Sequence, residues 1–122
     1  MQSEFINSTN VLEYDQEPMY TDVGRLSEVI PCQKKQVICE EAKATLYGTR
    51  VEFELGSERM ICDFSEIVAM AVLGRNKLNI YHDDKIYQYK GGKRFNALKY
   101  VHIYHRHKNI VKGEENAKFL GL

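Results

Sequence analysis

The chain predicts an α+β domain, a strongly curved antiparallel sheet whose open end is capped by a C-terminal helix. Three observations carry this reading. Apolar residues recur with period two from about residue 36 to residue 90, which is the spacing of half-buried strands. At Gly91–Arg94 the spacing changes to the near-four period of an amphipathic helix. The strand-like runs are separated by short turn signals, so that neighbours along the chain become antiparallel neighbours in the sheet. A length of 122 residues is that of one domain with one core.

Residues 1–20 are polar and aperiodic and read as a linker or N-terminal arm. In "TDVGRLSEV", Thr21 or Asp22 supplies an N-cap, and Val23, Leu26, Val29 and Ile30 form an apolar stripe. A short helix over 21–30 is therefore expected. Pro31 ends it, because the residue before proline avoids the helical region. The sheet follows over 36–90. "QVICEEAKATLYG" is its first strand. "TRVEFEL" alternates, with Val51, Phe53 and Leu55 on one face and Arg50, Glu52 and Glu54 on the other. Gly56-Ser57 turns the chain into "RMICDF". "EIVAMAVL" precedes a turn at Gly74-Arg75-Asn76. "KLNIYH" sends Leu78 and Ile80 inward. "KIYQYK" places Ile86 and Gln88 on one face and Lys85, Tyr87 and Tyr89 on the other.

The last element is an amphipathic helix over 94–109. At 100° per residue, Ala97, Leu98, Val101, Tyr104 and His105 share one arc, with Phe95 at its edge. Arg106, His107 and Lys108 suit the negative end of the helix dipole. Asn109 and Gly113 are stop signals. Residues 113–122 form a tail whose Phe119, Leu120 and Leu122 can pack back on the domain. The domain proper spans 21–112.

Composition narrows the function classes. No apolar run approaches the ~20 residues of a membrane span. The start "MQSEFINSTN" lacks the basic and apolar regions of a secretory signal. A cytoplasmic location is expected. Cys32, Cys39 and Cys62 are odd in number and irregularly spaced. They read as reduced thiols, with Cys62 a small core residue, not as a disulfide or zinc framework. Net charge is zero but unevenly placed. Residues 1–41 carry Glu4, Glu13, Asp15, Glu17, Asp22, Glu28, Glu40 and Glu41 against three basic residues. Residues 85–112 carry Lys85, Lys90, Lys93, Arg94, Lys99, Arg106, Lys108 and Lys112 and no acid. Such a split points to an anionic partner at the basic end, or to one end docking on the other.

Four motifs bear on chemistry. "HDD" (82–84) lies between two strands, where aspartate is favoured in a tight turn. It reads as a hairpin tip, because no nucleophile or second ligand set accompanies it. His102, His105 and His107 lack a neighbouring carboxylate or thiol for a metal. They read as His105 at the core edge and two solvated rings. Tyr81, Tyr87, Tyr89, Tyr100 and Tyr104 read as the rim of a small core with hydroxyls in water; nucleic acid is not expected as a partner. "KGGKR" is the candidate site. Lys90, Gly91, Gly92, Lys93 and Arg94 combine free backbone N–H groups, a helix start and three cations, which suits an anion or phosphate. It lacks the spacing of a nucleotide-hydrolysing P-loop. No catalytic residue, metal or cofactor is expected.

The segments "ATLYGTRVEFE", "MICDFSEIVAMAVLGRNKLNIYH" and "RFNALKYVHIY" together resemble the pleckstrin-homology (PH) superfold and its GRAM-like and short bacterial versions, over residues 42–109. The resemblance implies a binding domain. "YTDVGRLSEV" ahead of such a module is similar to the region after the catalytic domain in some bacterial 1-acylglycerol-3-phosphate acyltransferases. That implies a non-catalytic accessory piece of a phospholipid-synthesis enzyme, peripheral to the membrane, touching anionic lipid headgroups or its parent's catalytic domain. "YGTR" (47–50) matches three letters of that family's E-G-T-R phosphate motif. Tyr47 replaces the glutamate, and the N-H-x-x-x-x-D motif is absent, so this chain alone is not expected to transfer an acyl group. The alternative from another class is a protein–protein or weak self-association module using an exposed sheet edge.

Overall fold

The computed structural model describes residues 17–119, with side chains through Glu114. Seven strands form one antiparallel sheet: β1 (Tyr20–Val29), β2 (Gln36–Leu46), β3 (Arg50–Leu55), β4 (Glu58–Asp63), β5 (Ile67–Leu73), β6 (Lys77–His82) and β7 (Lys85–Gly91). Their order across the sheet is β4-β3-β2-β1-β7-β6-β5. The first strand thus sits in the middle and bonds to β2 on one side and β7 on the other. One helix, α1 (Ala97–Phe119), closes the fold. It packs on β5, on β6 and on a single 3-10 turn, Phe64–Glu66, that joins β4 to β5.

The expected helix over 21–30 is corrected to strand β1. Ten residues are too few to hold a helix in water by themselves, and this stretch carries Gly24 and four β-branched residues, Thr21, Val23, Val29 and Ile30. As a strand it finds backbone partners on both sides. Leu26 becomes fully buried while Val23 stays 61% exposed. Two register shifts in the β1–β2 pairing, on either side of Leu26, bend the strand as β-bulges do and start the curl of the sheet. Of the expected arm, residues 1–16 lie outside the described residues. Met19 already donates its N–H to the Leu46 carbonyl at 2.7 Å, and Tyr20 opens β1.

The remaining strands fall where alternation puts them. Val51, Phe53, Cys62, Leu78 and Ile80 are fully buried. Glu52, on the opposite face to Phe53, is held between Arg50 and Arg59. Asp83 and Asp84 both adopt left-handed backbone, with φ of 56° and 62°. His82 pairs with Lys85 around them. This is a two-residue hairpin turn with positive φ at both central positions, so "HDD" is the hairpin tip. The tyrosine expectation is corrected: Tyr89, Tyr100 and Tyr104 are not a wet rim but are fully buried. Their hydroxyls donate to Ala42 O at 2.9 Å, Asp22 Oδ2 at 2.6 Å and Ile67 O at 3.0 Å, which meets the demand of a buried phenol. Phe53, Tyr89, Phe95 and Tyr100 form a run of ring contacts 5.1–5.4 Å apart from β3 to the helix.

The helix starts three residues later than expected and runs past both stop signals, Asn109 and Gly113. Asn96 caps it, its side chain accepting from the Leu98 N–H at 3.1 Å. The buried stripe is Ala97, Tyr100 and Tyr104, with His107 half-buried, rather than the arc through Leu98 and His105, both of which are exposed. Phe95 sits before the first turn and its ring lies over Gly91: a Cβ there would be 2.2 Å from the ring. Of the expected tail, residues 113–119 continue the helix; Leu120, Leu122 and the Phe119 side chain lie outside the described residues.

Two predictions follow from this packing. Gly91→Ala should cost about 1–3 kcal/mol, because the methyl must displace Phe95. Gly92→Ala, with nothing within 4 Å of its Cβ, should be near neutral. Urea midpoints check both, and equal midpoints would contradict the ring-over-glycine account. The second concerns alkali. Burial, with the Glu66 carboxylate adding to it, pushes the Cys62 thiol from 9.0 up to about 12. Burial, then Asp22, raises Tyr89 and Tyr100 above the ordinary 10.0. Above the ordinary values the unfolded chain has released these protons and the folded chain has not. The stability they support is complete below about pH 9 and is lost as pH rises beyond it. The urea midpoint should therefore fall between about pH 8.5 and pH 11, and a flat profile would contradict it.

Candidate functional site

The five expected site residues lie where β7 leaves the sheet and turns into α1. Lys90 is the last exposed residue of β7, Gly91 is buried, and Gly92, Lys93 and Arg94 form an exposed turn. Part of the backbone here is already committed. The Gly91 N–H donates to Asn76 O at 3.0 Å, and Asn76 Nδ2 donates to Gly91 O at 3.2 Å. The Phe95 N–H donates to Gly92 O at 3.1 Å. At the helix start, Ala97 N–H points to Arg75 O at 3.5 Å and Leu98 N–H to the Asn96 side chain. Lys90, Lys93 and Arg94 add exposed side-chain charge to this corner.

That charge divides between two surfaces. Lys90, Gly91 and Gly92 line a shallow depression with Gly24 and Arg25, where Glu40 and Glu41 also lie. Arg25 is already paired there, Nε to Glu40 Oε1 at 2.9 Å. Lys93 and Arg94 face the other way, into an open groove of about 440 Å³ shared with Arg75. Val72, Phe95 and Leu98 make its apolar part, and no carboxylate among the described residues lines it. Arg75 comes from the β5–β6 turn, which the Asn76–Gly91 bonds hold against the helix start.

Arg75 and Lys77 were not among the residues expected from sequence. Register places both. Lys77 pairs directly with Lys90 across β6 and β7, and Lys90 pairs with Arg25 across β7 and β1. Three cations thus stand side by side on neighbouring strands, an arrangement that like-charge repulsion disfavours. Among the described residues, Arg75, Lys77, Lys90, Lys93 and Arg94 have no ion-pair partner within 4.0 Å. Leu73, opposite Lys77, and Leu98 flank this corner with 46% and 48% of their surface exposed.

The other motifs separate. His82 Nε2 is buried without a hydrogen bond, 3.5 Å from Glu66 Oε1. His107, not His105, reaches the core edge, its ring 5.6 Å from that of Phe64; His102 and His105 are exposed, and His105 lines an open groove shared with Phe64 and Val68. Among the described residues no group of His, Cys, Asp or Glu is placed to hold a metal ion. In "YGTR", the Arg50 guanidinium lies 3.9 Å from the centre of the Tyr47 ring and pairs with Glu52. No helix among the described residues is long and apolar enough to cross a membrane.

No family model matches the chain, and no curated protein matches it in sequence. Among solved structures it is similar to the solution structure of the N-terminal PH domain of human ARAP2 protein. The TM-score is 0.51 at 15% sequence identity, over 71% of this chain and 77% of that one. Likeness at that identity concerns architecture, and it agrees with the strand order and the closing helix. The chain has a PH-like fold, a seven-stranded antiparallel curled half-barrel capped by a C-terminal helix.

Proposed function

We propose that this domain is a non-catalytic binding module whose cationic corner meets anionic phospholipid headgroups. The observation that supports it most is the groove of Arg75, Lys93 and Arg94 at the helix start, which no carboxylate among the described residues lines and whose apolar wall includes the half-exposed Leu98. Cations around a small apolar patch suit an interface where phosphates lie above acyl chains. Membership of a longer phospholipid-synthesis protein, as an accessory domain contacting lipid or its own catalytic domain, is a narrower form of this reading. It rests on the sequence likeness of residues 20–29 to acyltransferases.

Magnitude sets what such a corner can do. Each basic side chain near an anionic leaflet contributes about 1 kcal/mol. Three in the groove with one half-buried leucine, Leu98, contribute roughly 4 kcal/mol. That corresponds to an affinity near millimolar. The corner orients a domain that something else holds at the membrane.

The full chain should therefore sediment weakly with phosphatidylcholine vesicles at low salt and more when phosphatidic acid is included. Lys93→Glu with Arg94→Glu should reduce the bound fraction about tenfold. Equal sedimentation with both vesicle types would contradict the reading. Displacement by millimolar glycerol phosphate would assign the corner to a soluble phosphate instead of a lipid surface.

A further inference from the structure

A second surface lies along the other half of α1, away from the cationic corner. Between its second half and the start of β5 runs an open groove of about 780 Å³. Phe64, Val68 and Val111 form its apolar part; His107, Lys108 and Lys112 form its rim. Val68 is 75% exposed and Val111 39%. Strand β5 is the last in the sheet order, so its outer edge offers backbone groups to an extended chain. The groove is thus apolar within, cationic at its rim and open along a strand edge. An occupant needs apolar side chains, carboxylates and an extended backbone.

The chain itself carries such a segment. Residues 1–16, "MQSEFINSTNVLEYDQ", contain Glu4, Glu13 and Asp15 and no lysine, arginine or histidine. Phe5, Ile6, Val11, Leu12 and Tyr14 are interleaved with them. Its attachment point is close to the helix. The Lys99 ammonium lies 4.3 Å from the centre of the Tyr20 ring, and Tyr100 bonds Asp22. From Lys99 to His107 along α1 is about 12 Å at 1.5 Å per residue. The eight residues from Leu12 to Tyr20 can span up to about 27 Å. The tether therefore reaches with slack, and tethering raises the local concentration to about millimolar.

We infer that the groove between β5 and the second half of α1 is the docking site of the chain's own acidic N-terminal segment, residues 1–16. Val11, Leu12 and Tyr14 supply the apolar contacts to Val68 and Val111. Glu13 and Asp15 supply the carboxylates facing Lys108 and Lys112. The uneven charge along the chain is then resolved within one molecule. The contact is screened by salt and opens when a stronger acidic competitor is present. Because it uses neither Arg75 nor Lys93–Arg94, it stands or falls independently of the lipid reading.

The experiment uses the full chain in solution. Methyl NOEs are expected from Val11 or Leu12 to Val68 or Val111 at low salt. Lys108→Gln with Lys112→Gln, at two exposed positions, should remove them, and an unchanged urea midpoint checks that loss of the Lys108 ammonium 5.2 Å from the Tyr104 ring leaves the fold intact. The same variant should speed cleavage after Glu4 and Glu13 by a glutamate-specific protease roughly tenfold, as expected when a millimolar effective concentration is lost. Val68→Asp should do likewise through the apolar half. Absence of these NOEs, with cleavage rates equal in all three proteins, would overturn the proposal. So would NOEs seen only between labelled and unlabelled chains in a mixed sample, which would assign the groove to the arm of a second copy.

Discussion

Closure of the curled sheet depends on two positions where a side chain is missing. At Gly91 the Phe95 ring occupies the space that a Cβ would take. At Gly24, which pairs with Gly91 across β1 and β7, a Cβ would lie 2.5 Å from the Lys90 carbonyl oxygen. The pair therefore sets how closely β1, β7 and the helix entry approach. With that distance fixed, Phe95 stacks between Tyr89 and Tyr100, and the helix continues from a ring that is already anchored. Ring contacts of this kind add about 0.5–1.5 kcal/mol each beyond their buried area. A methyl at Gly91 would press on the Phe95 ring, and one at Gly24 on the β7 backbone at Lys90.

Asp22 explains why the opening strand and the closing helix are coupled. Its carboxylate accepts from the Tyr100 hydroxyl at 2.6 Å and lies 3.2 Å from the Lys99 ammonium. Two consecutive residues of the first helical turn thus converge on the third residue of β1. Separated by 78 positions in the chain, these groups meet only when the sheet has curled. The other end of the helix stripe is fastened in the same way, by Tyr104 to the Ile67 carbonyl. The buried phenols are therefore fasteners between helix and sheet, and their burial follows from having those partners.

How much of this was legible varies by element, and the differences have physical causes. Strands β3, β6 and β7 alternate cleanly because one face meets the core and the other does not. Strand β1 misled, since Val23, Leu26 and Val29 fit a helical stripe as well as a strand. What decides is the pairing with β2 and β7, which no local pattern records. The helix face was misread for a related reason. Leu98 looks more apolar than Tyr100, yet Tyr100 is the one buried, because Asp22 waits for its hydroxyl. In the candidate site, "KGGKR" was visible as composition, but the role of its glycines was not. Gly91 makes room for the Phe95 ring. Arg75 and Lys77 could have been found by counting: six pairs outward from the Asp83–Asp84 turn place Lys77 opposite Lys90. Arg75 then follows from the turn that precedes Lys77.

The shape of these surfaces constrains their partners more than their charge does. Both the cationic corner and the β5–α1 groove are open to solvent along their length. A small molecule in either would keep much of its own surface wet, whereas small-ligand sites bury most of theirs. Affinity there has to come from extended contact, as a lipid surface or a length of polypeptide provides. The helix favours the same conclusion. At 23 residues it is about 35 Å long, while among the described side chains, which end at Glu114, the last fully buried one is Tyr104. A cap for the barrel needs only the first two or three turns. The turns beyond, with Ile110 54% exposed and Lys108 and Lys112 on the groove's rim, contribute little to closing the core. Their contribution is to extend the wall of a groove that a chain can lie in.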